Sequence, residues 1–339
     1  MRMGSGKMAE AGPIRSRSSA AADLAGERYP GTHRAEIRME SWPYRGARDL
    51  RLVQELCARL WSTSSYWHAG GLAWHRCSHA DREAEWPTRL WGEPDRLSAW
   101  AWLELPGHLM AQLDEVHPEL AAQIVDWFEG TATGPDLLAT VPDGYEVLTE
   151  ALRRAGFRER EDAPYSLDMR CAPLERSAVE VPAGYAFRPV TRAEVGRRVG
   201  LHRAIWSRLA DGAHVTSRVT VERFRQVSRT WPFRQDLDLV AVAPDGSFAA
   251  SCLAWLDPDT RTAELEPVGT HPKHRGRGLA TALCVDALQR LGVAGAEDVT
   301  VHPRGDPGYP APRRIYERAG FKVVNRTRIF ERLRDESAG

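Results

Sequence analysis

The sequence predicts an α/β fold whose plan is written twice along the chain. Three observations carry this. From about Tyr185 onward, short apolar strands alternate with longer helical stretches. Residues Glu264 to Leu283 read ELEPVGTHPKHRGRGLATAL, a strand that passes through a basic glycine loop straight into a helix. Pieces of this second half are echoed in the first. Val116-His117-Pro118 with Leu120-Ala121 parallels Thr270-His271-Pro272 with Leu279-Ala280, and Ala151 to Phe157 parallels Ile315 to Phe321.

The second copy opens with a strand from Tyr185 to Pro189. Thr191, with Glu194 three residues on, has the spacing of a capping box and starts a helix that ends near Trp206. A further helix spans about Val219 to Thr230. Leu237 to Ala243 alternates as a strand, Asp245-Gly246 is a hairpin turn, and Phe248 to Leu256 is the returning strand. A strand from Ala263 to Thr270 leads into the loop, and Leu279 to Leu291 is the helix after it. A strand over Asp298 to His302, a helix ending at Gly320 and a strand over Lys322 to Phe330 complete the copy. Gly320 suits a helix C-terminus, where a positive φ is wanted. The first copy covers 37–170, with a last strand at Tyr165 to Arg170; a linker at 171–184 leads to the second domain at 185–335. Residues 1–36, rich in Gly, Ser, Ala and Arg, read as a disordered leader without the apolar core of a signal peptide.

The loop itself is built for an anion. Backbone N–H groups gather at the start of a helix, and the helix dipole favours negative charge there. Gly276 and Gly278 let main chain approach a ligand, and Lys273, His274, Arg275 and Arg277 surround it with positive charge. It is not a P-loop, since no Lys-Ser or Lys-Thr follows the glycines. Nor is it the dinucleotide fingerprint, because Thr281 stands where the third glycine belongs.

Arg275, Gly278 and Ala280 fill the three defining positions of R-x-x-G-x-[GA], and this segment resembles the signature of the GNAT N-acetyltransferase superfamily. Tyr316-Glu317-Arg318-Ala319-Gly320-Phe321 resembles the Y-x-x-x-G-F end of that family's last helix, and the second copy's element order matches the GNAT fold. The resemblance implies two tandem GNAT-like domains, each a mixed, mainly antiparallel sheet flanked by helices. It implies acetyl-CoA as acetyl donor, with its pyrophosphate in the loop. Val268, Gly269, Thr270, Lys273, His274, Arg275, Gly276, Arg277, Gly278, Leu279 and Ala280 are then its expected contacts. One departure stands at the pantetheine end. Tyr309 takes the place of an Asn common in the family, and Pro312 that of an Ala. The first copy has no counterpart of Arg275, Gly276 and Gly278, and Leu152 stands where Tyr316 would, so it reads as a degenerate supporting domain.

Acetyl transfer to an amine needs a neutral amine, a polarised carbonyl and a protonated leaving thiolate. By resemblance Tyr316 is the acid, and a phenol stays protonated at neutral pH. Glu264 and Glu266, two apart on a strand, point to one face and are the candidates for general base, or for attracting a cationic amine.

Composition narrows the partners. Lys+Arg and Asp+Glu number 46 each among 339 residues, which argues against a sequence-independent nucleic-acid binder. No apolar run approaches the roughly 18 residues of a membrane span. The five cysteines are dispersed without a C-x-x-C pair, as in a reduced cytoplasmic protein, and nothing indicates a metal. The expectation is a cytoplasmic N-acetyltransferase, monomer or homodimer, acting on a primary amine of a small molecule. Two other readings remain at this point. One is a non-catalytic acyl-CoA-binding sensor or scaffold, against which Tyr316 counts. The other is a structural protein with no affinity for CoA.

Overall fold

Ten consecutive buried residues, Phe248 to Asp257, form the strand around which the second half is built. A strand buried on both faces needs a layer on each side, and that requirement organises the fold. The computed structural model describes residues 39–62, 65–174, 179–207, 217–305 and 307–333; the leader read at 1–36 lies outside them.

The first half runs β1 (Glu40–Pro43), α1 (Ala47–Arg59), α2 (Ala69–Ser78), β2 (Thr88–Glu93), β3 (Arg96–Glu104), β4 (His108–Leu113), α3 (Glu119–Thr131), β5 (Asp136–Pro142), α4 (Glu146–Arg154), β6 (Arg158–Glu159) and β7 (Leu167–Cys171). The second runs β8 (Ala186–Pro189), α5 (Val195–Ile205), α6 (Val221–Val227), β9 (Asp238–Val242), β10 (Phe248–Asp257), β11 (Thr262–Thr270), α7 (Leu279–Val293), β12 (Asp298–Val301), α8 (Ala311–Arg318) and β13 (Lys322–Leu333). Apart from the two-residue β6, the plan repeats element for element. Local signals act as read. Thr191 and Glu194 close a capping box, and Gly246, at φ 80°, turns the β9–β10 hairpin while Asp245 accepts from the Ser247 N–H at 2.9 Å.

The strands join in one sheet of order β1-β2-β3-β4-β5-β13-β7-β12-β11-β10-β9-β8. Its middle departs from the expectation. The strand predicted to close the first copy, β7, lies instead between β12 and β13. The last strand, β13, runs along β7 from Lys322 to Arg326 and then along β5 from Thr327 to Leu333. Twelve residues at about 3.3 Å each give β13 the reach for both partners. The exchange is set by burial. Leu167 and Met169 of β7 enter the core of the second half, and Phe330 of β13 enters that of the first. Each such side chain is worth about 1.5–3 kcal/mol when buried.

Helices α7 and α8 cover one face of the second half, with Leu279, Leu283 and Ala287 packed on β9 to β12. The opposite face is covered by α5, α6 and, from the first half, α2; Trp74, Val199, Phe224 and Trp255 meet there. Close approach of α2 depends on two glycines. A Cβ on Gly70 would overlap the Trp255 side chain, and one on Gly71 would lie 2.5 Å from Oε2 of Glu264. Among the described residues, no helix is long and apolar enough to cross a membrane.

Candidate active site

The site begins where two strands part. β11 and β12 pair in parallel from Thr262↔Asp298 to Glu264↔Thr300, and β12 ends at Val301 while β11 continues to Thr270. On its other side β11 stays with β10 as far as Ala250↔Thr270, through a register shift opposite Leu253 that accommodates Glu266 and Pro267. Val268, Gly269 and Thr270 therefore border an opening in the sheet. Gly269 has a packing reason, since a Cβ there would meet Ile205 Cγ2 at 2.5 Å.

The glycine loop closes the end of this opening. Gly276 and Gly278 have φ of 76° and 75°, a conformation that strains any L side chain, and nothing lies within 4 Å of a Cβ built on either. The glycines thus leave open space above bare main chain. Gly278 starts α7, and no side chain caps that end. The Ala282 N–H is the first to bond within the turn, to the Gly278 carbonyl at 3.0 Å, so the N–H groups of Leu279, Ala280 and Thr281 are not spent inside the helix. Lys273 and Arg277 are exposed beside it. His274 pairs through Nδ1 with the Tyr185 hydroxyl at 2.9 Å, and His271 Nδ1 accepts from the Lys273 N–H at 3.2 Å. The Arg275 guanidinium donates to the carbonyls of Thr270 (3.4 Å) and Ile205 (3.3 Å), bracing the loop against β11 and α5. Tyr309 is half-buried, with Arg304 over its ring at 5.4 Å. An uncapped helix end, two left-handed glycines and surrounding cations fit a pyrophosphate.

On the α7–α8 side, Tyr316 is 8% exposed and its ring lies 5.7 Å from that of Phe321. Burial, and after it the acidic groups of Cys284 and Glu266, hold its phenol well above the usual tyrosine range, so it keeps its proton.

The two carboxylates face the α2–α5–α6 side but end in different surroundings. Glu264 is enclosed. It accepts from the Gly71 N–H at 2.6 Å through Oε2 and pairs with His302 Nδ1 at 3.0 Å through Oε1, with His68 Nδ1 3.5 Å away. Burial alone would raise its pKa, but hydrogen bonds and charge from His302 and His68 outweigh that and hold it at about 2. His302 also sits 3.6 Å from Asp168, which accepts from Thr300 Oγ1 at 2.8 Å. Glu266 is half-buried, and its side chain borders a cavity. Burial first, then the negative charge of Glu264, pushes its carboxyl up to about 8.

That cavity, of about 380 Å³, is lined from both halves of the chain: by Trp74, His75, His79 and Arg82 on one side, and by His202, Trp206, Ser217, Arg218, Val219, Glu266 and Pro267 on the other. The Trp206 indole N–H donates to His202 Nδ1 at 3.0 Å, which leaves Nε2 to carry the ring proton. Burial, with the Arg198 charge behind it, lowers the His202 pKa to about 3, so this imidazole is neutral. Among these residues the sequence had pointed to Glu266. The others come from both halves of the chain, with more than a hundred positions between Arg82 and His202, and share no spacing that would have found them.

Residues 206–321 match the family model of the GNAT acetyltransferases. This part of the chain is a GNAT domain. The mycothiol acetyltransferase of Beutenbergia cavernae is 34% identical over 152 residues, a match covering 43% of this chain and 48% of that protein; the chain thus matches about half the relative's length. Solved structures extend the likeness of fold. A GCN5-related N-acetyltransferase from Sphaerobacter thermophilus has TM-score 0.54 at 18% identity, over 87% of this chain and 95% of the other. A tandem GNAT protein from the clavulanic acid biosynthesis pathway has TM-score 0.54 at 14% identity, over 88% of this chain and 100% of the other. The architecture is a tandem GNAT fold. GNAT acetyltransferases use acetyl-CoA as donor.

The first half repeats the GNAT strand opening in closed form. β4 and β5 pair from His108↔Leu138 to Met110↔Thr140 and then part. Here the Tyr145 hydroxyl fills the opened edge, accepting from the Leu113 N–H and donating to its carbonyl, both at 2.6 Å. The helix that follows, α3, starts at Pro118 with no glycine loop before it. A cavity of about 500 Å³ beside this edge is walled partly by Tyr66 and Trp67.

Proposed function

We propose that the chain is an acetyl-CoA-dependent N-acetyltransferase whose acceptor is a primary amine on a small molecule, with one active site, in the second half. The observation that carries this reading is the parted β11–β12 edge with Glu266 and its cavity on one face and Tyr316 on the other. Acetyl-CoA supplies an activated acetyl thioester. Leu279, Ala280 and the glycines at 276 and 278 would hold its pyrophosphate through main chain, with Lys273, His274 and Arg277 adding charge and Arg275 bracing the loop. Tyr309 lies where the pantetheine arm is expected to pass.

Each chemical task then has a residue. Glu266 accepts the proton of the acceptor's ammonium, directly or through water, and a carboxyl at about 8 is matched to that transfer near neutral pH. A main-chain N–H among Val268, Gly269 and Thr270 polarises the thioester carbonyl and stabilises charge as it grows. Tyr316 donates its proton to the departing thiolate. Glu264, clamped and enclosed, does not reach the cavity; it positions α2 and sets the field around Glu266. A cavity of this size suits a small acceptor. The mycothiol acetyltransferase relative supports acetyl transfer as the reaction.

The experiment is a thiol-release assay with acetyl-CoA over a panel of primary amines. Turnover that collapses in both Glu266→Gln and Tyr316→Phe supports the reading. A protein that binds acetyl-CoA yet turns over no amine is the sensor or scaffold instead.

A further inference from the structure

The cavity of about 500 Å³ in the first half stands where the Glu266 cavity stands in the second. Strand register shows the correspondence. The pairing of β4 with β5 ends at Met110↔Thr140, as that of β11 with β12 ends at Glu264↔Thr300. Two residues further on come Gln112 and Glu266, and each lines its cavity. Gln112 is 6% exposed, and its Oε1 accepts from the Trp100 indole N–H at 3.3 Å and from the Cys57 thiol at 2.8 Å. An indole N–H only donates, so the atom facing it is the oxygen. Nε2 is left on the cavity side with no hydrogen-bond partner among the described residues. A buried donor in that position is costly until an acceptor arrives. The charged residues of the lining are Asp114, Glu115 and Asp143, all acidic. Arg59 lies 3.7 Å from Asp114, and Asp143 shares Arg328 with Glu146 and Glu159. Glu115 has no ion pair among the described residues. Arg170, which bonds the Ser62 and Ser65 carbonyls behind this wall, is matched by Asp168 and Asp298. Nor can the cavity work as its counterpart does. The Tyr145 hydroxyl already occupies the Leu113 N–H and carbonyl, and no glycine loop precedes α3.

We propose that this cavity is a second, non-catalytic ligand site, for a small molecule that carries a neutral amide carbonyl and an ammonium group. The carbonyl accepts from Gln112 Nε2, the apolar body lies against Tyr66 and Trp67, and the ammonium stays at the mouth beside Glu115 and Asp143. An ammonium cannot bond Gln112 Nε2, because both groups only donate. A carboxylate in the carbonyl's place would meet three acidic side chains and no lining cation. With Gln112 where the second half has Glu266, a cavity that takes up a proton becomes one that recognises a carbonyl. The site stands whether or not the second half transfers acetyl groups.

The test is calorimetric titration of the full chain, without acetyl-CoA, with three probes: N-acetylputrescine, putrescine and 4-acetamidobutanoate. The first carries both groups, the second lacks the carbonyl, and the third has a carboxylate for the ammonium. N-acetylputrescine is expected to bind about tenfold tighter than either of the others. Gln112→Met keeps the side chain's length without its donor, and should weaken N-acetylputrescine about tenfold while leaving putrescine unchanged. Glu115→Gln combined with Asp143→Asn should erase the preference over 4-acetamidobutanoate and keep that over putrescine. Glu115 is exposed and the Asp143 side chain is 46% exposed, so the double variant decides the matter if Gln112→Met misfolds. Equal or tighter binding of putrescine or 4-acetamidobutanoate overturns the proposal, as does the absence of N-acetylputrescine binding. So does a preference that survives both sets of substitutions. Binding that is unchanged in Gln112→Met but lost in Glu266→Gln would put the probe in the other cavity and overturn it likewise.

Discussion

The backbone N–H of Gly71 donates a 2.6 Å hydrogen bond to Oε2 of Glu264, 193 residues further along the chain. The bond ties the start of α2, in the first half, to β11, the strand that borders the candidate site. A helix N-terminus is a favourable place for a carboxylate. It also fixes the distance between α2 and the sheet, and thereby the cavity between Trp74 and Glu266. Gly71→Ala sets a Cβ 2.5 Å from Oε2 of Glu264 and should destabilise by about 1–3 kcal/mol, read as a lower denaturant midpoint. A midpoint equal to the parent's would mean that α2 is not held by this contact.

Glu264 should matter to stability at moderate pH. Its folded pKa of about 2 lies below the ordinary 4.5, so its contribution is present above pH 4.5 and is lost as pH falls toward 2. In Glu264→Gln that part of the acid dependence should vanish. The same substitution removes the charge that raises Glu266, so the acid limb of the kcat profile should move to lower pH. Both curves come from one set of pH series, by denaturation and by thiol release.

Glu266 has the opposite sign. Its folded pKa of about 8 lies above the ordinary 4.5, so the protonated form is favoured by folding, and stability is lost as pH rises through 8. As a base it acts only when ionised, so kcat should climb with pH and level off above about 8. Glu266→Gln should lower kcat by about 10²–10⁴-fold, flatten that limb and gain stability at alkaline pH. A mutant that keeps the parent's pH limb would remove Glu266 from the chemistry.

Tyr316→Phe separates chemistry from binding. Its ring sits against Phe321 in the α7–α8 core, and phenylalanine preserves that packing. We expect kcat to fall by about 10²–10⁴-fold while acetyl-CoA affinity stays within a factor of about two. Unchanged kcat would mean that the thiolate leaves without this acid.

Much of the site was legible because its signals are local. Arg275 to Ala280 lie in one turn, and Tyr316 to Phe321 in another. Left-handed Gly276 and Gly278 and the capping box at Thr191 follow from residue chemistry within a few positions. The exchange of β7 and β13 was not legible, because alternating apolar residues say which face a strand buries and not which strand it lies beside. The two carboxylates share a face, as their spacing requires, but their separation in role depends on Gly71, His68 and His302, all distant in sequence from Glu266. The tryptophans divide in the same way. Trp100 and Trp255 are fully buried, and Trp74 reaches a cavity wall only because α2 docks on the other half of the chain.

Calorimetric titration of acetyl-CoA into the parent and into Gly278→Val tests the central claim most directly. At φ 75° a β-branched residue is strongly disfavoured, and its side chain would enter the open space above the α7 terminus. Parent binding on the order of micromolar that disappears in the variant, with the variant's fold intact by circular dichroism, is the expected result. Equal binding by both proteins, or none by the parent, would contradict the assignment of this loop as the acetyl-CoA cradle.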